Sequence, residues 1–269
     1  MTHSQTDGTG PAGFAFEDGA GYELMMGRWS ALVADPFLDW LGVPRNSDWL
    51  DSGCGNGSFT ERVSLTQHPL SVVGVDPAPA QLDYARKRPT LGKVRLLQGD
   101  AQELPVADAS VDAAVMALVL FFLPEPARGV QELMRVVRSG GIVAAYHWDL
   151  DAGGLPLQPI IDAACVDGYA PQRPPSAWVA TQGASADLWV RTGLLDVQTV
   201  RFQITRRFDR FDDFWCTANL NPRLGRLFSS LSPDALKRLK CRVMEQLGTA
   251  DNAPVFVSAI ATGVKGHKR

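Results

Sequence analysis

Trp49-Leu50-Asp51-Ser52-Gly53-Cys54-Gly55-Asn56-Gly57-Ser58 is the stretch from which the rest of the chain hangs. Two apolar residues lead into an acid and then into glycines at alternate positions, the pattern of a short buried strand whose tight turn opens a helix. Glycine belongs there because a Cβ would oppose positive φ and hold the backbone away from a ligand.

The strand-then-acid pattern recurs. Ser71-Val72-Val73-Gly74-Val75 ends at Asp76, and Val94-Arg95-Leu96-Leu97-Gln98-Gly99 ends at Asp100. Each interval is about one βαβ unit, so the pattern predicts a doubly wound α/β sheet whose parallel strands open their carboxyl ends on one crevice. Asp51, Asp76 and Asp100 should meet around one ligand. The dinucleotide fingerprint G-x-G-x-x-G fails at its sixth place, where Ser58 stands. Asp51 beside the loop would also repel a phosphate but accept a cation. A phosphate-free, cationic or zwitterionic nucleoside therefore fits better than NAD(P), and an oxidoreductase is the weaker reading.

From about residue 20 to 150 the chain resembles the class I S-adenosylmethionine-dependent methyltransferases, in particular the small-molecule group whose first motif reads like Leu-Asp-x-Gly-Cys-Gly-x-Gly. Ser52, Pro79, Gln81 and Ser139 depart from the usual choices, yet none removes a group that binding requires. The resemblance implies a Rossmann-like seven-stranded sheet, mostly parallel with an antiparallel last strand, and a cap made by insertions. It implies S-adenosylmethionine as cofactor and S-adenosylhomocysteine as product. Asp51 and Gly53, Cys54 and Gly55 would then lie beneath the cofactor. Asp76 would accept both ribose hydroxyls, with Pro77 and Gln81 over the adenine. Asp100, the Ala101 N–H and Gln102 would meet the adenine edge, and Ala117 and Leu118 the sulfonium region. The stretch Tyr22-Glu23-Leu24-Met25-Met26-Gly27-Arg28-Trp29-Ser30 resembles an N-terminal helix that closes over the methionyl end. There Tyr22 would line the site and Arg28 would pair with the amino-acid carboxylate; the plainer alternative for Arg28 is a solvated helix charge.

A net charge of −3 over 269 residues gives no field that attracts polyanions, so nucleic acid is not an expected partner. Cys54, Cys165, Cys216 and Cys241 form neither a C-x-x-C pair nor a cluster with histidine, which predicts free thiols and no metal site. The start of the chain lacks a secretory pattern, and the apolar run from Ala113 to Leu123 is too short for a bilayer. A cytoplasmic protein without a membrane partner is the expectation.

Residues 1–13 read as a disordered lead and 14–269 as a single methyltransferase domain, with cap insertions at about 150–184 and 209–252. Asp35-Pro36 predicts a helix from Pro36 to Leu41. Ser139-Gly140-Gly141 predicts the stop of the helix opened by Pro126, before a strand from Ile142 to Tyr146. His147 follows that strand and is the best-placed general base, with a hydrogen-bonded structural histidine as the ordinary alternative. Arg206, Arg207 and Arg210 read as a solvated cluster pairing with Asp209, Asp212 and Asp213. Trp148, Tyr169, Trp178, Phe214 and Trp215 suggest a small apolar or aromatic methyl acceptor, or else simply the core of the cap. Transfer would be an in-line displacement to an oxygen, nitrogen or carbon atom. A protein that binds the cofactor without transferring its methyl is the alternative on sequence alone.

Overall fold

The computed structural model describes residues 19–269; the expected lead 1–13 lies outside them. Seven strands form one sheet in the order β3-β2-β1-β4-β5-β7-β6. They are β1 (Asp48–Ser52), β2 (Ser71–Asp76), β3 (Arg95–Gln98), β4 (Val111–Ala117), β5 (Val137–Trp148), β6 (Leu195–Phe208) and β7 (Val255–His267). The four pairings among β1 to β5 are parallel, and β7 runs antiparallel to both β5 and β6. This is the doubly wound α/β architecture with an antiparallel last strand. The direction of strand order reverses at β1, so its carboxyl end faces the crevice where such sheets take ligands.

The sheet carries a core on each face. Ala113 and Ala144 project into one and Ala114 and Ala145 into the other, all wholly buried, and their small side chains let the helices approach closely. The first core takes Trp29, Val33, Phe37 and Leu41, one stripe of α2 (Arg28–Leu41) at four-residue spacing. The second takes Val130, Leu133 and Val136 of α5 (Pro126–Val136).

Two expectations need correction. Asp35-Pro36 does not start a helix, because α2 runs through Pro36 on its solvent-facing side. The carbonyl four residues back, which loses its donor, belongs to Leu32 at 42% exposure, where water can serve it. Asp35 instead takes two bonds from Arg62 of α3 (Ser58–Thr66), both 2.8 Å. Secondly, the Arg138-Ser139-Gly140-Gly141 turn lies inside β5. Between the pairs Val111–Val137 and Ala113–Ile142 the register shifts, and Gly140 takes φ +79° in that bulge. Arg138 pins it through Asp48, Asp112 and the Ser110 carbonyl. A further helix, α7 (Gln182–Arg191), is capped by Thr181, whose side chain accepts the Ala184 N–H.

After β5 come α6 (Gln158–Cys165) and α7; after β6 come α8 (Phe211–Asn219), α9 (Pro222–Ser230) and α10 (Pro233–Gln246). Phe211, Trp215 and Phe228 stack in sequence between α8 and α9. Among the described residues no helix is long and apolar enough to cross a membrane.

Candidate functional site

The bend after β1 is built by glycine where nothing else would fit. Gly53 takes φ +81°, and a Cβ there would come within 2.3 Å of the Val119 side chain. Its N–H and that of Cys54 both donate to the Val75 carbonyl, at 2.7 and 3.0 Å, which ties the bend to β2. Gly55 takes φ +52° with open space where its Cβ would stand, the form of a cradle that a ligand can lie against.

Two acids frame the bend. Asp76 ends β2, and its Oδ2 accepts the Gly55 N–H at 2.8 Å while its Oδ1 accepts the Ala78 N–H at 2.9 Å. Burial raises its pKa and those two N–H groups pull it back. Asp51 is 1% exposed. Its Oδ2 accepts the Thr60 hydroxyl at 2.6 Å, whereas its Oδ1 has no hydrogen bond among the described residues. Burial pushes Asp51 up to about 7, against the pull of Thr60 and with the help of the Asp76 charge. A buried carboxylate oxygen with no donor among the described residues, beside an open glycine cradle, suits a cation or a hydrogen-bond donor. These residues therefore fit the nucleoside cation expected from the sequence.

The N-terminal segment reaches the same place through a side chain that sequence reasoning missed. After α1 (Gly19–Tyr22) the chain makes a π-helical turn, Glu23–Gly27, before α2. Glu23 Oε2 accepts from Asn56 Nδ2 at 2.9 Å, Ser58 Oγ at 3.2 Å and Arg88 Nη2 at 2.5 Å. Arg88 also donates to the Asn56 carbonyl and to Glu61. Tyr22 stands close by, its phenol pushed upward first by burial and then by the charges of Asp76, Glu23 and Asp51. Arg28, expected to face the ligand, is exposed and lies beside Arg206, because the π-helical turn delivers it to the outer side of α2. The signal for Glu23 was an acid next to the tyrosine in a helical stretch, too common a pattern to single out.

Other expected residues are spread over the same crevice. Cys54, Gln81 and Ala101 are buried, and burial raises the Cys54 thiol. Pro77 is exposed, and so is Asp100, whose Oδ1 accepts the Gln102 N–H at 2.8 Å. Gln102 in turn accepts the Glu125 N–H. Ala117 ends β4, and Leu118 follows with φ +62°, a conformation that costs a leucine about 1–2 kcal/mol. The Leu118 N–H donates to the Tyr146 carbonyl at 2.8 Å, which holds the strained residue in place. Backbone strain at a strand end beside a ligand crevice is a feature that hydropathy patterns do not carry.

Beside the crevice lies a cavity that opens partly to solvent. Tyr22, Met25 and Leu118 form the part nearest the acids, and Phe121, Trp148, Leu155, Ile161, Tyr169 and Leu224 continue it between β5 and the helices after it. Of the five aromatic residues singled out in the sequence, Trp148 and Tyr169 line this cavity. Phe214 and Trp215 belong to the packed core, and Trp178 is 55% exposed.

His147 is not among the residues lining the cavity. It is wholly buried on the opposite face of β5 from Trp148, and burial lowers its pKa to about 4. The general-base expectation is corrected accordingly: the ring is neutral but sealed from any acceptor in the cavity. Of the arginine cluster, Arg207 and Arg210 pair with Asp209 and Asp213 as expected. Arg206 instead lies over the Phe208 ring at 4.2 Å.

Comparison with known proteins bears on this geometry. Residues 50–145 match the family model described as a methyltransferase domain. An uncharacterized methyltransferase of Mycobacterium tuberculosis is 40% identical over 104 residues, which are 39% of this chain and 41% of that protein. A chloroplastic 2-methyl-6-phytyl-1,4-hydroquinone methyltransferase of Oryza sativa is 32% identical over 43% of this chain and 34% of its own length. The chain thus spans less than half the length of these curated relatives. Among solved structures, phosphoethanolamine N-methyltransferase 2 of Haemonchus contortus in complex with S-adenosyl-L-methionine superposes with a TM-score of 0.55 at 15% identity, over 93% of this chain and 56% of that one. A SAM-dependent methyltransferase of Thermotoga maritima gives 0.52 at 19% identity, over 92% and 93% of the two chains. At such identities the likeness is one of fold.

Proposed function

We propose, from the premise that residues 50–145 of this chain are a methyltransferase domain, that the protein is an S-adenosylmethionine-dependent methyltransferase acting on a small apolar or aromatic metabolite. The observation that carries this reading is the buried Asp51 Oδ1, without a hydrogen bond among the described residues, beside the bend in which Gly55 stands open. A phosphate would be repelled there, whereas a cationic adenosine derivative supplies what the carboxylate lacks. When bound, that cofactor supplies a methyl group on a positively charged sulfur.

The chain's own residues bind, orient and exclude water. Gly53, Cys54 and Gly55 present flat backbone. Asp76 holds the loop through Gly55 and Ala78 and keeps lone pairs for the ribose hydroxyls. Pro77 and Gln81 cover the adenine, and Asp100, Ala101 and Gln102 meet its edge. Tyr22, Ala117 and Leu118 close the sulfonium side. The apolar walls of the neighbouring cavity take the acceptor, and holding it in line with the methyl group can supply about 7–11 kcal/mol of the barrier. A base is needed only for an acceptor that is protonated at the working pH, such as a phenol or an ammonium.

Relatives named for 2-methyl-6-phytyl-1,4-hydroquinone and for phthiotriol dimycocerosates support an apolar acceptor. In this reading 14–269 are one domain, of which 14–18 lie outside the described residues, with segments 150–184 and 209–252 as the cap over the acceptor. The setting is cytoplasmic, in keeping with four free cysteines.

The test is calorimetry with S-adenosylhomocysteine, followed by transfer of labelled methyl from the cofactor to a panel of aromatic and lipophilic metabolites. Binding with transfer is expected. Absence of heat at millimolar S-adenosylhomocysteine sinks the reading, and binding without transfer to any member would favour a regulator that only holds the cofactor.

A further inference from the structure

In the proposed reading Asp51 meets the cationic cofactor, and it does not stand alone at the end of β1. Its Oδ2 accepts the hydroxyl of Thr60 at 2.6 Å, and both residues are buried, Asp51 at 1% and Thr60 at 0% exposure. Thr60 is the third residue of α3 (Ser58–Thr66), which opens directly from the glycine bend. A helical threonine usually turns its hydroxyl back to the carbonyl three or four residues earlier. Those carbonyls belong here to Gly57 and Asn56, and the Glu61 N–H and Arg88 Nε already donate to them at 2.9 and 2.7 Å. The Thr60 hydroxyl turns instead to the carboxylate nine residues earlier in the chain.

This bond gives the two oxygens of Asp51 different tasks. Oδ2 is occupied, while Oδ1 has no hydrogen bond among the described residues. A carboxylate held at one oxygen by a buried donor has its plane fixed, so the direction of the second oxygen is set before a ligand arrives. The titratable groups that face Asp51 lend no such help. Asp76 comes from the end of β2, Tyr22 from α1, Cys54 from the bend and Tyr146 from β5, and none of these four is a cation. Burial and then the Asp76 charge oppose the carboxylate, and what favours it comes from the hydroxyl and the N–H of Thr60.

We propose that Thr60 is a positioning residue for methyl transfer: by occupying Oδ2 of Asp51 it presents Oδ1 as the acceptor for the cationic part of S-adenosylmethionine. The inference rests on the methyltransferase reading and adds to it the residue that prepares the anion of the site. Without the hydroxyl, the carboxyl group would keep its burial and lose its donor. The neutral acid would then persist to higher pH, and the plane of the group would be free to turn. A neutral acid offers a cation a dipole in place of a charge. Serine in place of threonine keeps the donor and drops only a methyl group.

Calorimetry of S-adenosylmethionine binding to the full chain, from about pH 6 to about pH 9, tests this around the titration of Asp51. For the parent the affinity should rise through about pH 7. Thr60→Val fills the same space and removes the hydroxyl. It should move that rise upward by about one pH unit and weaken binding at neutral pH about tenfold, the usual effect of losing a hydrogen bond to a charged group. Thr60→Ser should restore the parental profile. A threonine that only packs would give the opposite order, because valine replaces its bulk and serine leaves a void. If the valine variant does not fold, Thr60→Ala set against Thr60→Ser isolates the same hydroxyl. An unshifted profile without the hydroxyl, a serine variant that rescues nothing, or a parent whose affinity ignores pH overturns the proposal while leaving the methyltransferase reading intact. Failure of both S-adenosylmethionine and S-adenosylhomocysteine to bind the parent overturns both.

Discussion

Asp51 titrates at about 7 because burial opposes its charge, so near neutral pH it is divided between two protonation states. A cationic ligand favours the carboxylate and must expel the proton wherever the acid form is populated. Affinity for S-adenosylmethionine should therefore rise from pH 6 to pH 8 and flatten above, and Asp51→Asn should bind more weakly with that slope abolished, as calorimetry at several pH values would show. Asp76→Ala should weaken S-adenosylhomocysteine binding by about 1.5–3 kcal/mol, the worth of hydrogen bonds to a charged group. Unchanged affinity would mean that the ribose lies elsewhere. Gly53→Ala is a test of the backbone alone: the added Cβ meets Val119 at 2.3 Å in a left-handed conformation, so thermal denaturation should register a loss of at least about 1 kcal/mol.

At the scale of elements, the N-terminal segment and the glycine bend are held together by Arg88, which joins Glu23 and Glu61 with its side chain 14% exposed. Arg88→Ala leaves two carboxylates without their cation. Melting should fall by about 1–3 kcal/mol, and amide exchange should quicken across residues 19–27, where the tie is lost, more than across β4. A loss spread evenly over the chain would contradict that tie. The same elements mark what the sequence could and could not convey. β1, β2 and β4 were legible because buried parallel strands are apolar runs ending in an acid or a turn. The course of α2 through Pro36 was not, since a solvent-facing carbonyl tolerates the missing donor and local propensity cannot see which side faces out. Nor was the Gly140 bulge inside β5, where a glycine pair reads equally well as a stop. Arg28, expected at the cofactor's carboxylate, stands exposed while Glu23 meets the loop, because a π-helical turn shifts the angular position of everything after it.

Over the whole molecule, two buried groups act on stability with opposite sign. His147 has a folded pKa of about 4, below its unfolded value, so the unfolded chain binds the extra proton and stability is lost as pH falls through about 6.5 toward 4. Asp51 has a raised folded pKa, so its contribution is fully present at low pH and is lost as pH climbs through about 7. The two trends offset each other across mildly acidic pH. His147→Leu should remove the first and leave a protein that gains stability from pH 7 to pH 5 relative to the parent, read as the difference in melting temperature at the two values. Parallel profiles would show that the ring is not buried neutral.

β7 comes later in the chain than β5 and β6 yet lies between them, and among the described residues it is the only neighbour of β6 in the sheet. During synthesis β6 therefore leaves the ribosome with no strand to join, and its fourteen residues wait as an unpaired ribbon while α8, α9 and α10 are made. The nascent chain is most exposed to aggregation in that interval, and a block to translation just before Val255 would strand it there.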